Sequence, residues 1–299
     1  MKDGLALTRR TSERGVHETA QRARRATHAR VIRHSVGYEE WERSGFVRRE
    51  MARHGVALIL GVGDTMEVFE GEADSPARTF GAFVVGNQSR SSLTGIRGHQ
   101  LGAQVELTPA GALALFGNVA DLSDAVVPLD EALGTRGTQL LERLGEASSW
   151  GGRFDVIDEA LGTVDPLPLS DEVEWLRRQL EFSRGRGRVE RLMDETGRSR
   201  RHVTDRFRRQ LGVPPKAYAR LLRFEHASSL LSDQPARRSL AAVAGDAGYY
   251  DQSHLNRDFA GLAGMTPAAY VAGSGRVPEV RFVQDEPVDG PSEWTHEQR

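Results

Sequence analysis

The sequence has no cysteine. That excludes disulfides, thiolate zinc centres, iron–sulfur clusters and cysteine nucleophiles. Lysine is nearly missing as well. Of 40 Lys and Arg residues only Lys2 and Lys216 are lysine, which leaves 38 arginines. We read that bias as a GC-rich bacterial coding preference before any physical cause. No run approaches the roughly 18 apolar residues of a membrane span. The opening MKDGLALTRR has no apolar stretch of signal-peptide length. The expectation is therefore a cytoplasmic chain with no membrane partner. No phosphate-binding loop or Gly-x-Ser-x-Gly elbow is present. Gly61-Val62-Gly63 lacks the third glycine and the following helix of a dinucleotide loop, so it reads as a strand end. His99, Gln104 and Glu106 invite a metal reading, but no His-x-His pair accompanies them. No catalytic residue, metal or cofactor is expected, and the chain is not read as an enzyme.

What is present is an ordinary globular composition over 299 residues, 38% hydrophobic and 27% charged, enough for two domains with real cores. The net charge of −2 hides an asymmetry. Residues 1–34 carry nine basic and three acidic side chains, 35–183 carry 12 and 24, 184–273 carry 16 and nine, and 274–299 carry three and six. A basic block beside an acidic body suggests a polyanion-binding module joined to something else.

Residues 1–34 have few large apolar side chains and no helix start or stop signals. They are expected to be a basic, disordered extension or a frayed helix. Residues 35–165 read as a sensor or dimerisation domain. Its first part has short strands: GVALILGVG, RTFGAFVVG and HQLGAQVELTP, separated by GEADSP and GNQSRSS. In the third, Leu101, Ala103, Val105 and Leu107 alternate with Gln104 and Glu106, the period of a half-buried strand. From Ala110 to Leu161 apolar residues fall three and four apart, a helical pattern. TVDPLPLS is a Pro-rich linker with Ser170 or Asp171 placed to cap a helix. Residues 166–183 are thus a linker and lead-in helix, with Trp175 as its packing anchor. Residues 274–299 read as a tail, apart from strand-like VRFVQ. Tyr38, Trp41 and Trp150 are candidates for an apolar effector pocket, with core packing as the alternative.

The informative segment, 184–273, contains one unit twice. Val203, Phe207, Gly212, Pro215, Ala217 and Tyr218 recur 52 residues on as Leu255, Phe259, Gly264, Pro267, Ala269 and Tyr270. Val189, Leu192 and Gly197 recur 51 residues on as Leu240, Val243 and Gly248. Each copy reads helix, Gly turn, helix. Ser199 and Asp251 stand where N-caps are wanted. Each second helix carries an apolar seam, Val203, Phe207 and Leu211, then Leu255, Phe259 and Leu262. The opposite face carries Arg200, Arg201, Thr204, Asp205, Arg208 and Arg209 in the first copy. In the second it carries Gln252, Ser253, His254, Asn256 and Arg257. This is the pattern of a helix-turn-helix that projects polar side chains into the major groove, where Arg can fork onto guanine and Asn or Gln onto adenine. PPKAYARLLRFEHASSLL reads as one helix of about 26 Å, against the ~34 Å between successive major-groove faces.

At these residues the resemblance becomes specific. Residues 180–272 resemble the DNA-binding domain of the AraC/XylS family of bacterial transcription regulators. AGDAGYYDQSHLNRDFAGLAGMTPAAY follows that family's pattern A-x3-G-[FY]-x-D-x-S-[HY]-[FL]-x-[RK]-x-F-x4-G-x-[ST]-P-x-x-[FY] almost throughout. The first copy departs twice, at Met193, where a small Ala is usual, and at Asp205, where Arg or a neutral residue is frequent. GYEEW, GVALILGVGD, GHQLGAQVELTPAGALALFG and RFVQD resemble an actinobacterial subfamily. The resemblance implies an α+β multidomain protein, with a cupin-like barrel or sandwich plus helices followed by an all-α tandem helix-turn-helix. It implies double-stranded promoter DNA as partner, an effector or a homodimer through the first domain, and RNA polymerase if the protein activates. Base contacts are expected from Arg200, Arg201, Thr204, Arg208, Gln252, Ser253, Asn256 and Arg257. Phosphate contacts are expected from Arg209, Lys216, Arg223 and the helix N-termini near Ser199 and Asp251. Asp205 could accept from cytosine N4 or order a neighbouring Arg. A nonspecific architectural DNA binder is the alternative, and a DNA-tethered enzyme a more distant one.

Overall fold

A computed structural model of the chain describes residues 5–11, 15–22, 29–69, 76–233 and 238–272. The strands are β1 (Leu5–Thr11), β2 (Gly15–Arg22), β3 (Ile32–Glu50), β4 (Ala57–Gly61), β5 (Met66–Phe69), β6 (Ala77–Phe80), β7 (Ala82–Val85), β8 (Ser92–Leu107) and β9 (Val126–Pro128). They form one antiparallel sheet in the order β1-β2-β3-β8-β4-β7-β9, with β5 on β8 and β6 on β5. β3 and β8 pair over most of their length, from Ile32↔Leu107 to Glu50↔Ser92, with irregular register at two places.

The expected alternation in β8 holds, and it separates the two faces of the sheet. Ala103, Val105 and Leu107 join Leu58, Leu60 and Val84 in the main core. Helices α1 (Pro109–Phe116), α2 (Leu129–Leu133), α3 (Thr135–Glu146) and α4 (Trp150–Gly162) cover that face, contributing Leu113, Leu140, Leu144, Phe154 and Ile157. Gln100 and Gln104 face the other way, beside Tyr38, Glu40 and Thr94, and line a cavity.

The region expected to be a disordered extension behaves differently. Residues 5–11 and 15–22 form an antiparallel hairpin, and β2 continues onto β3. Two anchors fix the hairpin. Trp150 Nε1 donates to Glu18 at 2.9 Å, and Arg22 pairs with Asp155 and Asp158 while its guanidinium lies over Phe154. Trp150 lies flat on Gly37, where a Cβ would come within 2.3 Å of the ring. Trp150 is therefore core, not pocket. VRFVQ at 280–284, the rest of the tail and the GEADS part of the GEADSP turn lie outside the described residues.

The helical half follows: α5 (Asp171–Phe182), α6 (Val189–Glu195), α7 (Arg200–Leu211), α8 (Pro215–Asp233), α9 (Leu240–Ala247), α10 (Gln252–Ala263) and α11 (Pro267–Ala272). It has two cores. Val173, Leu176 and Leu180 of α5 pack with Val189, Met193, Val203, Phe207 and Leu211. Phe224, Ala227 and Leu231 of α8 pack with Val243, Ala247, Leu255, Phe259, Leu262 and Tyr270. α8 serves both, giving Tyr218, Ala219 and Leu222 to the first and Leu221 and Phe224 to the second. Met193 fits the first core as a buried side chain, as a flexible thioether can. Trp175 is only partly buried, so Val173, Leu176 and Leu180 are the anchors of α5.

Candidate nucleic-acid interface

Each repeat folds as helix, turn, helix for identifiable local reasons. Gly197 and Gly248 take positive φ of 68° and 83° in the turns, where a Cβ would be strained. Ser199 Oγ accepts from the His202 N–H, and Asp251 Oδ1 accepts from the His254 N–H at 2.7 Å. Each satisfies one of the free donors at a helix start. Val203, Phe207, Leu255, Phe259 and Leu262 are fully buried. The seam read from spacing is thus the buried face of both α7 and α10.

The opposite faces are exposed at Arg200, Arg201, Asp205, Arg208 and Arg209, and at Gln252, Ser253 and Arg257, while Thr204, His254 and Asn256 are half-buried at the flanks. Arg201 is 94% exposed and makes a loose 3.8 Å pair with Asp205 one turn on. Asp205 therefore sits where it can orient Arg201. Arg200 is held by both oxygens of Asp194, at 2.7 and 2.6 Å. The Arg200 side chain and charge keep the Asp194 carboxyl below its usual pKa. Lys216 pairs with Glu190 at 2.5 Å. Arg200 and Lys216 must exchange these partners to reach DNA. Arg223 is placed otherwise than expected. It is half-buried, donates to the Gly185 carbonyl at 2.8 Å and lies over the Tyr249 ring. Those contacts give it a packing role between the two repeats. Spacing pointed to none of His202, Arg206 and Glu172, which tie α7 to α5. Burial alone would raise the Glu172 carboxyl, but bonds from its own backbone N–H, His202 and Ser170 hold it below the usual value.

The sheet domain grips the other ends of the same two helices. Asn87, fully buried, donates Nδ2 to the Leu211 carbonyl at 2.8 Å and accepts at Oδ1 from the Gly55 N–H at 3.0 Å. Ser123 Oγ donates to the Gly212 carbonyl at 2.8 Å. At α10, the Ala52 N–H donates to the Leu262 carbonyl at 2.8 Å, and Gly264 lies against Arg49 and Ser91. Between them His54 meets Glu225 of α8 with its backbone N–H and its Nδ1, and its ring stands edge-on to Tyr218. The C-terminal ends of α7 and α10 are occupied. Their capped N-terminal ends and polar faces point away.

The cavity on the polar face of the sheet measures about 740 Å³. Its walls are apolar at Ile59, Met66, Val68, Phe80 and Phe83, and polar at Tyr38, Glu40, Arg48 and Gln104. Trp41 and Trp150, candidates with Tyr38, do not line it. Glu40 is paired with His17 at 2.7 Å and with Arg48 at 3.5 Å. Burial opposes its ionisation, yet the His17 bond and the Arg48 charge hold its pKa below the usual value. Gln88 contributes a buried Nε2 with no partner among the described residues.

Two capped recognition helices, each on its own core and joined by one helix, define a DNA-binding protein with two helix-turn-helix units in one chain. The family described as "Helix-turn-helix domain" matches residues 192–273, and this segment is a helix-turn-helix domain of the AraC type. No curated protein matches the chain. Among solved structures, ToxT from Vibrio cholerae is similar at 9% identity and a TM-score of 0.44, over 80% of this chain and 97% of that one. A fatty-acid-bound structure of wild-type ToxT gives 10%, 0.41, 81% and 94%. The AraC-like transcriptional activator CuxR gives 12% identity and a TM-score of 0.23, over 86% of this chain and 80% of that one. These likenesses are loose. The assignment rests on the family match and on the contacts above.

Proposed function

We propose that the protein is a sequence-specific transcription regulator. In this reading α7 and α10 enter adjacent major grooves on one side of the duplex. The observation that carries it is the pair of capped helices with exposed polar faces, set on two cores that share α8. That helix has 19 residues, about 28 Å, close to the ~34 Å between groove faces. Arg201, Thr204 and Arg208 face bases in one groove, and Gln252, Ser253, Asn256 and Arg257 in the other. Arg209 and Lys216 face phosphate. The repeats follow one another in the chain and are not related by a two-fold axis, so one chain reads an asymmetric site of about 20 bp.

In the same reading the sheet domain modulates binding through a small-molecule effector. The mixed polar and apolar cavity and its Gln88 donor, unpartnered among the described residues, support this. The test is selection of bound sites from a random duplex library at about 150 mM salt, which suppresses nonspecific binding. The expected result is an asymmetric motif with two blocks one helical turn apart. Tight binding without enrichment would establish the architectural reading instead.

A further inference from the structure

The loop between α5 and α6, Ser183–Arg188, lies outside both recognition helices. It reads Ser-Arg-Gly-Arg-Gly-Arg, and Arg184, Arg186 and Arg188 are all exposed. Its backbone is fixed from several sides. Gly185 has φ of 74°, and a Cβ there would come within 2.1 Å of the Ala219 carbonyl oxygen of α8. The Gly185 carbonyl accepts from Arg223, which is stacked over Tyr249 of the second repeat. Arg186 packs against Gly248, in the turn before α10, and donates to the Ser183 and Asp246 carbonyls. Arg184 reaches His226 of α8 at 3.0 Å. The loop therefore lies along the seam between the two repeats. Its first residue follows Phe182, 89% exposed, and the turn it packs on leads to Tyr250, 92% exposed.

Two features place this seam on the DNA side. The turn of a helix-turn-helix lies at the N-terminal end of the recognition helix, the end that enters the groove. The sheet domain holds the opposite, C-terminal ends at Leu211 and Leu262. With α7 and α10 in successive major grooves, whatever lies between them on that side faces the intervening minor groove and its two phosphate rows. The loop brings three cations there. Two of them are felt by His226, whose pKa is lowered by burial first and then by the charges of Arg184 and Arg186.

We infer that Arg184, Arg186 and Arg188 form a third DNA-contact element, binding the phosphates that flank the minor groove between the two recognition helices. This inference rests on the reading of the domain as a duplex-DNA binder. It explains why a highly charged segment is fixed by a glycine in close backbone contact and by a stacked arginine. A loop that served only as a connection needs neither.

The test is the salt dependence of duplex binding by the full chain. Kd is measured between about 50 and 300 mM salt for the wild type, R188Q, R186Q and the double variant, on the selected site and on a random duplex. Arg188 has no side-chain partner among the described residues, so R188Q leaves the fold unaltered and stands if R186Q disturbs packing on Gly248. Each lost phosphate contact lowers the slope of log Kd against log salt by about 0.9. The double variant is expected to lose about 1.8, equally on both duplexes, with the selected motif unchanged. Arg136→Gln, at an exposed position of α3 in the sheet domain, is expected to keep the wild-type slope. An unchanged slope in R188Q and in the double variant would overturn the inference while leaving site selection, and so the proposed function, standing. A loss confined to the selected site, with an altered central sequence, would also overturn it, because the arginines would then be reading bases. Failure of the wild type to bind duplex at all would instead defeat the underlying reading.

Discussion

Asn87 is the side chain whose removal says most about how the two halves are joined. It is fully buried and joins two backbone groups, the Leu211 carbonyl at the end of α7 and the Gly55 N–H in the sheet domain. Asn87→Ala leaves both without that partner. A buried polar group left unpaired costs about 1–3 kcal/mol. The carbonyl can find a second donor more easily than the N–H can find another acceptor, so we expect a loss of about 2–4 kcal/mol. The measurement is the urea midpoint at constant m-value. A companion variant tests the geometry. Gly212 has φ of 89°, and a Cβ there would lie 2.3 Å from Asn87 Nδ2 and 2.8 Å from Ser123 Oγ. Gly212→Ala is strained by its backbone and also collides with Asn87. In the Asn87→Ala background the closest collision is gone, while the backbone strain and the contact with Ser123 remain, so the double variant should be more stable than the sum of the singles predicts, by about 0.5 kcal/mol or more. A loss below about 0.5 kcal/mol for Asn87→Ala, or strict additivity with Gly212→Ala, would refute the reasoning.

Other expectations follow from the same contacts. Phe207→Ala and Phe259→Ala each empty the centre of one core and should cost about 3–5 kcal/mol, and a full, unshifted thermal transition in either would show that the seam is misplaced. Arg201→Ala or Arg257→Ala should weaken binding to the selected site by about 1–3 kcal/mol and relax preference at one position. Equal losses on random duplex would assign that arginine to phosphate. Glu40, with its folded pKa below the usual value, contributes stability that is present above the unfolded carboxylate pKa and is lost as pH falls through the folded one. The urea midpoint of the wild type should therefore fall more steeply below about pH 4.3 than that of Glu40→Gln, and parallel curves would count against the His17–Glu40–Arg48 cluster.

What could be read from the sequence was whatever repeats or alternates. The caps Ser199 and Asp251, the seams through Phe207 and Phe259, and the two-faced strand through Val105 are local rules of period and hydrogen bonding, and each appears in the structure as read. The pairing of residues 5–11 with 15–22 was not legible, because backbone pairing and distant partners, Trp150 for Glu18 and Asp155 and Asp158 for Arg22, hold it in place of an apolar stripe of its own. Arg200 and Arg223 looked alike in a list of exposed cations. Only the fold shows that one is bound by Asp194 and the other stacked on Tyr249. Asn87 stood in a run, GNQSRSS, that reads as a polar turn. Nothing local marks its amide as the link to a helix 124 residues away.

The segment that ends β3 and leads to β4 connects these observations. Arg48, Glu50, Met51 and Arg53 line the cavity. Arg49 lies against Gly264, Ala52 bonds Leu262, and His54 holds Glu225. Residues of one short stretch thus face the cavity on one side and α8 and α10 on the other, and Arg53 pairs with Gln88, beside the Asn87 that holds α7. A close-packed segment with contacts on both sides does not move on one side alone. An occupant of the cavity that prefers one position of this stretch therefore changes the relative free energies of the ways the two recognition helices can be held. Its effect on DNA affinity is bounded by its own preference between those positions. Reciprocity then requires that the selected duplex change the affinity for that occupant by the same factor, and a ligand whose Kd is identical with and without duplex would show that cavity and helices are independent.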